Sequence, residues 1–231
     1  MKPFFLAAAL SLGLCSCSES PPVIQILQVI QPDDSCDFGS DDTGSASGSL
    51  DLAYRNSYLL GLIVRSAYTT TPIEVNGAPL EPESDVGGSG TAFVDTLKLS
   101  YASTPNINIP DGSVPYTAVL NPASNENKLV VNLMTAEATT ALRAALSGTA
   151  VAQLRVTMQL TGKFAAGGKK FESNEIVFGM DVANGAVTLR NCVGTEAPNV
   201  PAGPCGSGPG QDGMYASCKP APVTTPPGSE G

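Results

Sequence analysis

Histidine and tryptophan are absent from this 231-residue chain, and charged residues make up 14% and aromatic residues 6% of it. Without imidazole there can be no Ser-His-Asp or Cys-His catalytic arrangement and no zinc site of mixed Cys/His type. The side chain best suited to proton transfer near neutral pH is missing too. Cations are scarce: 12 Lys and Arg stand against 21 Asp and Glu, a net charge of −9. So acidic a chain is repelled by phosphate backbones and anionic lipid head groups alike, and nucleic acid is not expected as a partner.

What the chain has in excess is Gly (24) and Pro (19), beside an apolar fraction of 42%. That apolar share can fill a core, which excludes a disordered tail protein. The turn-rich remainder suits an extracytoplasmic β-protein.

The opening residues, MKPFFLAAALSLGLCSCSES, carry one cation at Lys2, an apolar run over residues 4–14 and then a cysteine cluster. The run is too short to cross ~30 Å of hydrocarbon as a helix, so residues 1–16 read as a secretory signal peptide. Leu14-Cys15-Ser16-Cys17 resembles the lipobox of bacterial lipoproteins, with Leu three before Cys17 and a small residue directly before it; Cys15, preceded by bulky Leu14, does not fit. The resemblance implies cleavage after Ser16 and acylation of Cys17. With Ser18 and Glu19 next, and no Asp directly after the cysteine, it further implies export to the outer membrane. Residues 17–21 would be a short tether, and the acyl chains an essentially permanent membrane anchor at ~0.8 kcal/mol per buried CH₂.

Cleavage leaves Cys17, Cys36, Cys192, Cys205 and Cys218, of which four stay free to pair once Cys17 is acylated. An even number in an oxidising compartment implies two disulfides, with three connectivities open. No C-x-x-C spacing follows the signal, so disulfides are expected over metal, and no metal or cofactor is assigned. The expected pairs are Cys205 with Cys218, a cheap local closure over a Gly-rich stretch, and Cys36 with Cys192, which would tie the two ends of the domain together. Cys192 with Cys205 is the rival, disfavoured by the stiffening Pro198, Pro201 and Pro204.

Residues 23–30 are a short run of β-formers stopped by Gln31-Pro32 and read as an edge strand. Residues 32–48 form an acidic loop with Asp33, Asp34, Asp37, Asp41 and Asp42 around Cys36. Alternating carboxylates can ligate Ca²⁺, but the EF-hand pattern is not met, and a solvated loop is the simpler reading. A two-residue period then sets Leu50, Leu52, Tyr54, Tyr58, Leu60, Leu62 and Val64 inward, against Asp51, Arg55, Ser57 and Arg65 outward. Phe93, Leu97, Leu99 and Tyr101 repeat it, as do Val114 to Leu120 and Leu129 to Leu133. The cleanest alternation puts Ala152, Leu154, Val156, Met158 and Leu160 inward, and Gly167-Gly168 returns the chain into Ile176, Phe178, Met180 and Val182. Asn184-Gly185 then turns toward Val187 and Leu189. One helix is expected over residues 136–147, N-capped by Thr135, with Gly148 past its end.

These segments predict a mainly β domain over residues 22–192: an antiparallel β-sandwich of the immunoglobulin-like class with one short helix between strands. That class's Trp and intersheet Cys pair are missing, so topology stays open, with a small barrel as the alternative. Residues 193–231, rich in Pro and Gly, cannot supply a core and read as a disulfide-stapled tail. The runs LDLAYRNSY (residues 50–58), Glu172-Ser173-Asn174-Glu175 and Pro204-Cys205 through Gly210-Gln211-Asp212 to Cys218 resemble uncharacterised predicted lipoproteins of myxobacteria. That resemblance supports the location and implies no mechanism.

The functional expectation is a non-catalytic, outer-membrane-anchored lipoprotein that acts as a structural or binding module of the envelope. Its partners would be the membrane, through the lipid, and an envelope protein or glycan. One alternative is Ca²⁺-dependent adhesion or carbohydrate binding through the Asp33 to Asp42 loop; low aromatic content counts against sugar stacking, since Tyr54, Tyr58, Tyr101 and Tyr116 have core parity. The other is an envelope glycoside hydrolase, which needs two carboxylates ~5 to 9.5 Å apart. Glu172 with Glu175, or Glu81, Glu83 and Asp85, are its candidates, and ordinary exposed acids explain both sets.

Overall fold

The computed structural model describes residues 22–67, 74–75, 78–79, 90–148, 150–185, 196–198, 205, 210–212 and 218–220. Residues 1–16, expected as a signal peptide, and Cys17, Glu81, Glu83, Asp85, Val187, Leu189 and Cys192 lie outside the described residues. Two sheets face one another. The smaller holds β1 (Ile24–Ile30), β3 (Leu59–Ser66) and β8 (Asn127–Asn132) in the order β1-β3-β8. The larger has the order β2-β11-β9-β6-β7, from β2 (Ser47–Asp51), β11 (Ile176–Ala183), β9 (Val151–Phe164), β6 (Ala92–Thr104) and β7 (Gly112–Leu120), with β10 (Lys170–Glu172) also on β9. Two two-stranded antiparallel pairs, β4 (Glu74–Val75) with β5 (Ala78–Pro79) and β12 (Glu196–Pro198) with β13 (Cys218–Pro220), complete the strands among the described residues. The chain changes sheet from β1 to β2, β2 to β3, β3 to β6 by way of the β4–β5 pair, β7 to β8 and β8 to β9, which makes a sandwich of two half-apolar faces.

One continuous core fills the space between the sheets. Ile24, Ile26, Leu60, Leu62, Val64, Leu129 and Val131 from the smaller sheet meet Val94, Leu97, Leu99, Leu154, Val156, Met158, Leu160, Phe178, Met180 and Val182 from the larger. These are largely the residues that the two-residue period turns inward. The expected helix is α1 (Ala136–Ala145), two residues shorter than the sequence pattern. Thr135 caps it, its Oγ1 accepting from the Ala138 amide at 3.0 Å, and Ala138, Thr139 and Leu142 are buried.

Four expectations are corrected. The sheets are not wholly antiparallel, because β2 runs parallel to β11. Phe93 points outward and Ala92 and Val94 inward, because the register of β6 slips between Val94 and Thr96 and the bulge inverts the facing of everything before it. The outer face of β3 is wet at Arg65 but covered at Gly61 and Ile63: Phe38 from the acidic loop packs with Ile30 and Ile63 there, and a Cβ on Gly61 would meet the Phe38 ring at 2.8 Å. Asp51, expected outward, is 5% exposed.

The registers also define the two ends of the sandwich. Ile24 lies opposite Ser66, Val64 opposite Asn127, Ala92 opposite both Leu120 and Phe164, and Lys163 opposite Lys170. All of these sit at the end where the chain enters β1. At the other end lie Ile30, Leu59, Asn132, α1 and Asp51.

Candidate functional site

The densest polar structure is at the end of the sandwich away from the start of β1, where residues 210–212 close over β2 and β3. The Gly210 carbonyl accepts from the Asp51 amide at 2.6 Å, and the Asp212 amide donates to the Ser49 carbonyl at 2.8 Å. Gln211 forms an antiparallel bridge with Leu50. Gly210 has φ +91°, a left-handed conformation open to glycine, and a Cβ there would strike Asp51 O and Tyr54 Cβ at 2.9 Å. Gln211 is 0% exposed; its Oε1 accepts from the Leu59 amide at 3.3 Å and its Nε2 donates to the Leu59 carbonyl at 3.1 Å. A single residue thus binds β2 by its backbone and β3 by its side chain, across the two sheets.

Asp212 extends this seam. Its Oδ1 accepts from the Ser49 amide at 2.8 Å, and the Tyr58 hydroxyl lies 2.9 and 3.0 Å from its two carboxylate oxygens. Burial first, then the Asp212 charge and hydrogen bond, push the Tyr58 hydroxyl well above its ordinary range. Burial lowers the Arg55 guanidinium, and Asp212 works against that. Sequence reasoning missed this cluster because a Pro/Gly-rich stretch reads as a disulfide-stapled tail that cannot supply a core.

Cys205 holds the same segment from its other side. It is bonded to Cys36, with Cα atoms 4.9 Å apart, across 169 positions of sequence. This corrects the expected pairing of Cys36 with Cys192 and of Cys205 with Cys218. Loop-closure entropy favours the local pair, but Cys205 is buried and bonded to the acidic loop instead. Cys36, with φ 67°, turns in the acidic loop to meet it. The backbone at residue 218 is paired with Pro198 in the β12–β13 pair.

Three carboxylates of the acidic loop, those of Asp33, Asp37 and Asp42, bond to its own backbone. Asp33 Oδ1 accepts from the amides of Ser35 and Asp37 at 2.8 Å, and Asp42 Oδ2 from Gly39 at 2.6 Å. Lys128 pairs with Asp37 at 3.1 Å and lies 5.9 Å from the Phe38 ring centroid. That hydrogen bond, the Phe38 amide and the Lys128 charge hold Asp37 below its ordinary range. Beside the loop lies an open cavity of about 550 Å³ lined by Asp33, Asp37, Phe38, Asp42 and Lys128 among others. Among the described residues, no three His, Cys, Asp or Glu side chains converge as a metal site.

A second hollow, about 370 Å³, lies against α1 between Asn56, Asn132, Met134, Thr139 and Arg143. Asn132 Oδ1 accepts from the Tyr58 and Met134 amides at 3.0 and 3.1 Å, while Arg143 donates to the Leu52 carbonyl at 2.7 Å. Glu172 and Glu175 are exposed and line neither cavity; Glu172 pairs with Lys98 at 2.7 Å. Tyr58 is buried and Tyr54, Tyr101 and Tyr116 half-buried, so the four tyrosines offer no open stacking platform. Tyr101 and Tyr116 donate to the Leu133 and Val130 carbonyls, each at 2.9 Å. No helix among the described residues is long and apolar enough to cross a membrane. No protein-family model, no curated protein and no solved structure matches the chain.

Proposed function

We propose that this chain is a non-catalytic lipoprotein, exported and held at the outer membrane by acyl groups on Cys17, whose sandwich serves as a structural or binding module toward an envelope protein or glycan. The observation that carries this reading is the place where folding begins: β1 starts at Ile24, seven residues after Cys17. The sandwich therefore begins almost at the anchor, and seven residues reach at most about 25 Å.

The way the polar groups are used supports the module reading. Polar side chains join the strands: buried Gln211 and half-buried Asp212 at one end, and half-buried Asn174, whose carboxamide accepts from Ile26 N at 2.7 Å and donates to Ile26 O at 3.1 Å. Such bonds rigidify a scaffold. The carboxylates of Asp33, Asp37 and Asp42 in the acidic loop cap backbone amides, which favours the plain module over the Ca²⁺-dependent one.

Crosslinking in the native membrane, followed by identification of the captured species, tests the proposal. One envelope protein or glycan at constant stoichiometry is the expected result. Turnover of a substrate by the purified chain would overturn the non-catalytic reading.

A further inference from the structure

The outer face of the larger sheet has a distinct row at the end where β1 begins. Register places Val119 beside Phe93, Phe93 beside Lys163 and Lys163 beside Lys170, and all four are exposed. Phe93 is 36% and Val119 55% exposed, two of six large apolar side chains exposed among the described residues, with Val23, Leu27, Val151 and Val177. Lys169 is exposed next to Lys170 in the β9–β10 hairpin, whose tip is Gly167-Gly168. No carboxylate stands in this row. The nearest are Asp95, exposed at the β6 bulge two residues after Phe93, and Glu172, which faces the next row and is paired with Lys98.

We propose that this row is the membrane-facing surface of the domain, with Lys163, Lys169 and Lys170 on anionic lipid phosphates and Phe93 and Val119 at the headgroup boundary. The proposal rests on the Cys17 anchor and says which end of the sandwich the anchor presents to the lipid. Two independent observations meet here. The chain enters β1 at this end, because Ile24 lies opposite Ser66, and the seven residues from Cys17 to Ile24 are too few to carry the opposite end to the bilayer instead. The composition of the row, apolar groups flanked by long-stemmed cations, is that of a side chain set at a lipid interface. The overall charge of −9 does not forbid the contact, since exposed charges farther away than ~8 Å are screened at physiological salt. The acidic loop lies over the other sheet, on Ile63 of β3.

The absence of tryptophan makes the test clean. Full-length acylated protein carrying Phe93→Trp, and separately Val151→Trp at the far end, is reconstituted into phosphatidylethanolamine–phosphatidylglycerol vesicles containing brominated acyl chains. The Phe93→Trp protein should show blue-shifted emission quenched at least twofold, and the Val151→Trp protein neither effect. Adding Lys163→Glu, Lys169→Glu and Lys170→Glu to Phe93→Trp should abolish the quenching. Equal quenching at both positions, quenching at Val151→Trp alone, or none at Phe93→Trp would overturn the proposal. The segment from Ala67 to Gly90 starts and ends at this same end and carries Glu74, Glu81, Glu83 and Asp85, so dominance of its charge would appear as that last outcome. Mass spectrometry on the same samples reports acylation of Cys17 separately. Quenching without acylation would remove the anchor and leave the surface standing, whereas acylation without quenching would remove the surface alone.

Discussion

The side-chain amide of Gln211 is paired with the backbone of Leu59 as one peptide group pairs with another, Oε1 accepting from Leu59 N and Nε2 donating to Leu59 O. Because the backbone of Gln211 bridges Leu50 of β2, this one contact joins the two sheets at full burial. The segment that composition marks as unable to supply a core therefore supplies the closure of the sandwich.

Gln211→Ala should leave both Leu59 groups buried without partners. Each orphaned group costs ~1 to 3 kcal/mol, so a loss of about 2 to 4 kcal/mol is expected by denaturant unfolding, far above that of an exposed substitution such as Thr117→Ala. Equal stability of the two variants would contradict the seam.

Val156→Asp should unfold the domain, whereas Thr157→Asp should be tolerated. Val156 is fully buried in the core and Thr157 is half-exposed on the opposite face of β9. An unpaired buried carboxylate costs several kcal/mol against a total stability of ~5 to 15 kcal/mol. Thermal melting of both variants checks the facing.

Non-reducing peptide mapping should return a peptide joining Cys36 to Cys205. Closing so long a loop stabilises by about 5 kcal/mol in the chain-entropy limit, so Cys205→Ser should lower stability more than any exposed substitution. A peptide joining Cys205 to Cys218 would contradict the structure.

Raising the pH should weaken the fold through the buried tyrosines. Tyr58 stays protonated in the folded state well above its ordinary value of 10.0, through burial and then Asp212, and burial raises Tyr101 and Tyr116 as well. Above pH 10 the unfolded chain binds fewer protons than the folded one, so stability is full below that pH and falls as pH rises. In Tyr58→Phe the alkaline slope should be shallower by about 1.4 kcal/mol per pH unit, as read from denaturant midpoints. An unchanged slope would remove Tyr58 from the account.

Most of the core was legible from the chain because a half-buried strand must alternate. Leu154, Val156 and Met158 point inward on parity alone, and Thr135 announces α1 by its chemistry. Parity failed at Phe93, where one bulged residue reverses every facing before it, and at Ile63, where a loop residue distant in sequence covers the outer face. Neither a bulge nor a covering loop leaves a local signature. The disulfide departs from the expected pairs for the same reason, since a contact across 169 positions of sequence is a long-range event that no local spacing encodes. Of the polar seam only Tyr58 was visible, as a core-parity tyrosine; its partner Asp212 lies in the stretch that reads as a disulfide-stapled tail.

The measurement closest to the central claim is mass analysis of the mature amino-terminal peptide from membranes of cells making the full chain, with Cys17→Ser and Cys15→Ser beside it. The account expects a chain that begins at acylated Cys17, release or an uncleaved precursor for Cys17→Ser, and little change for Cys15→Ser. Acyl groups on Cys15, or a Cys17→Ser protein still cleaved and still membrane-bound, would contradict it.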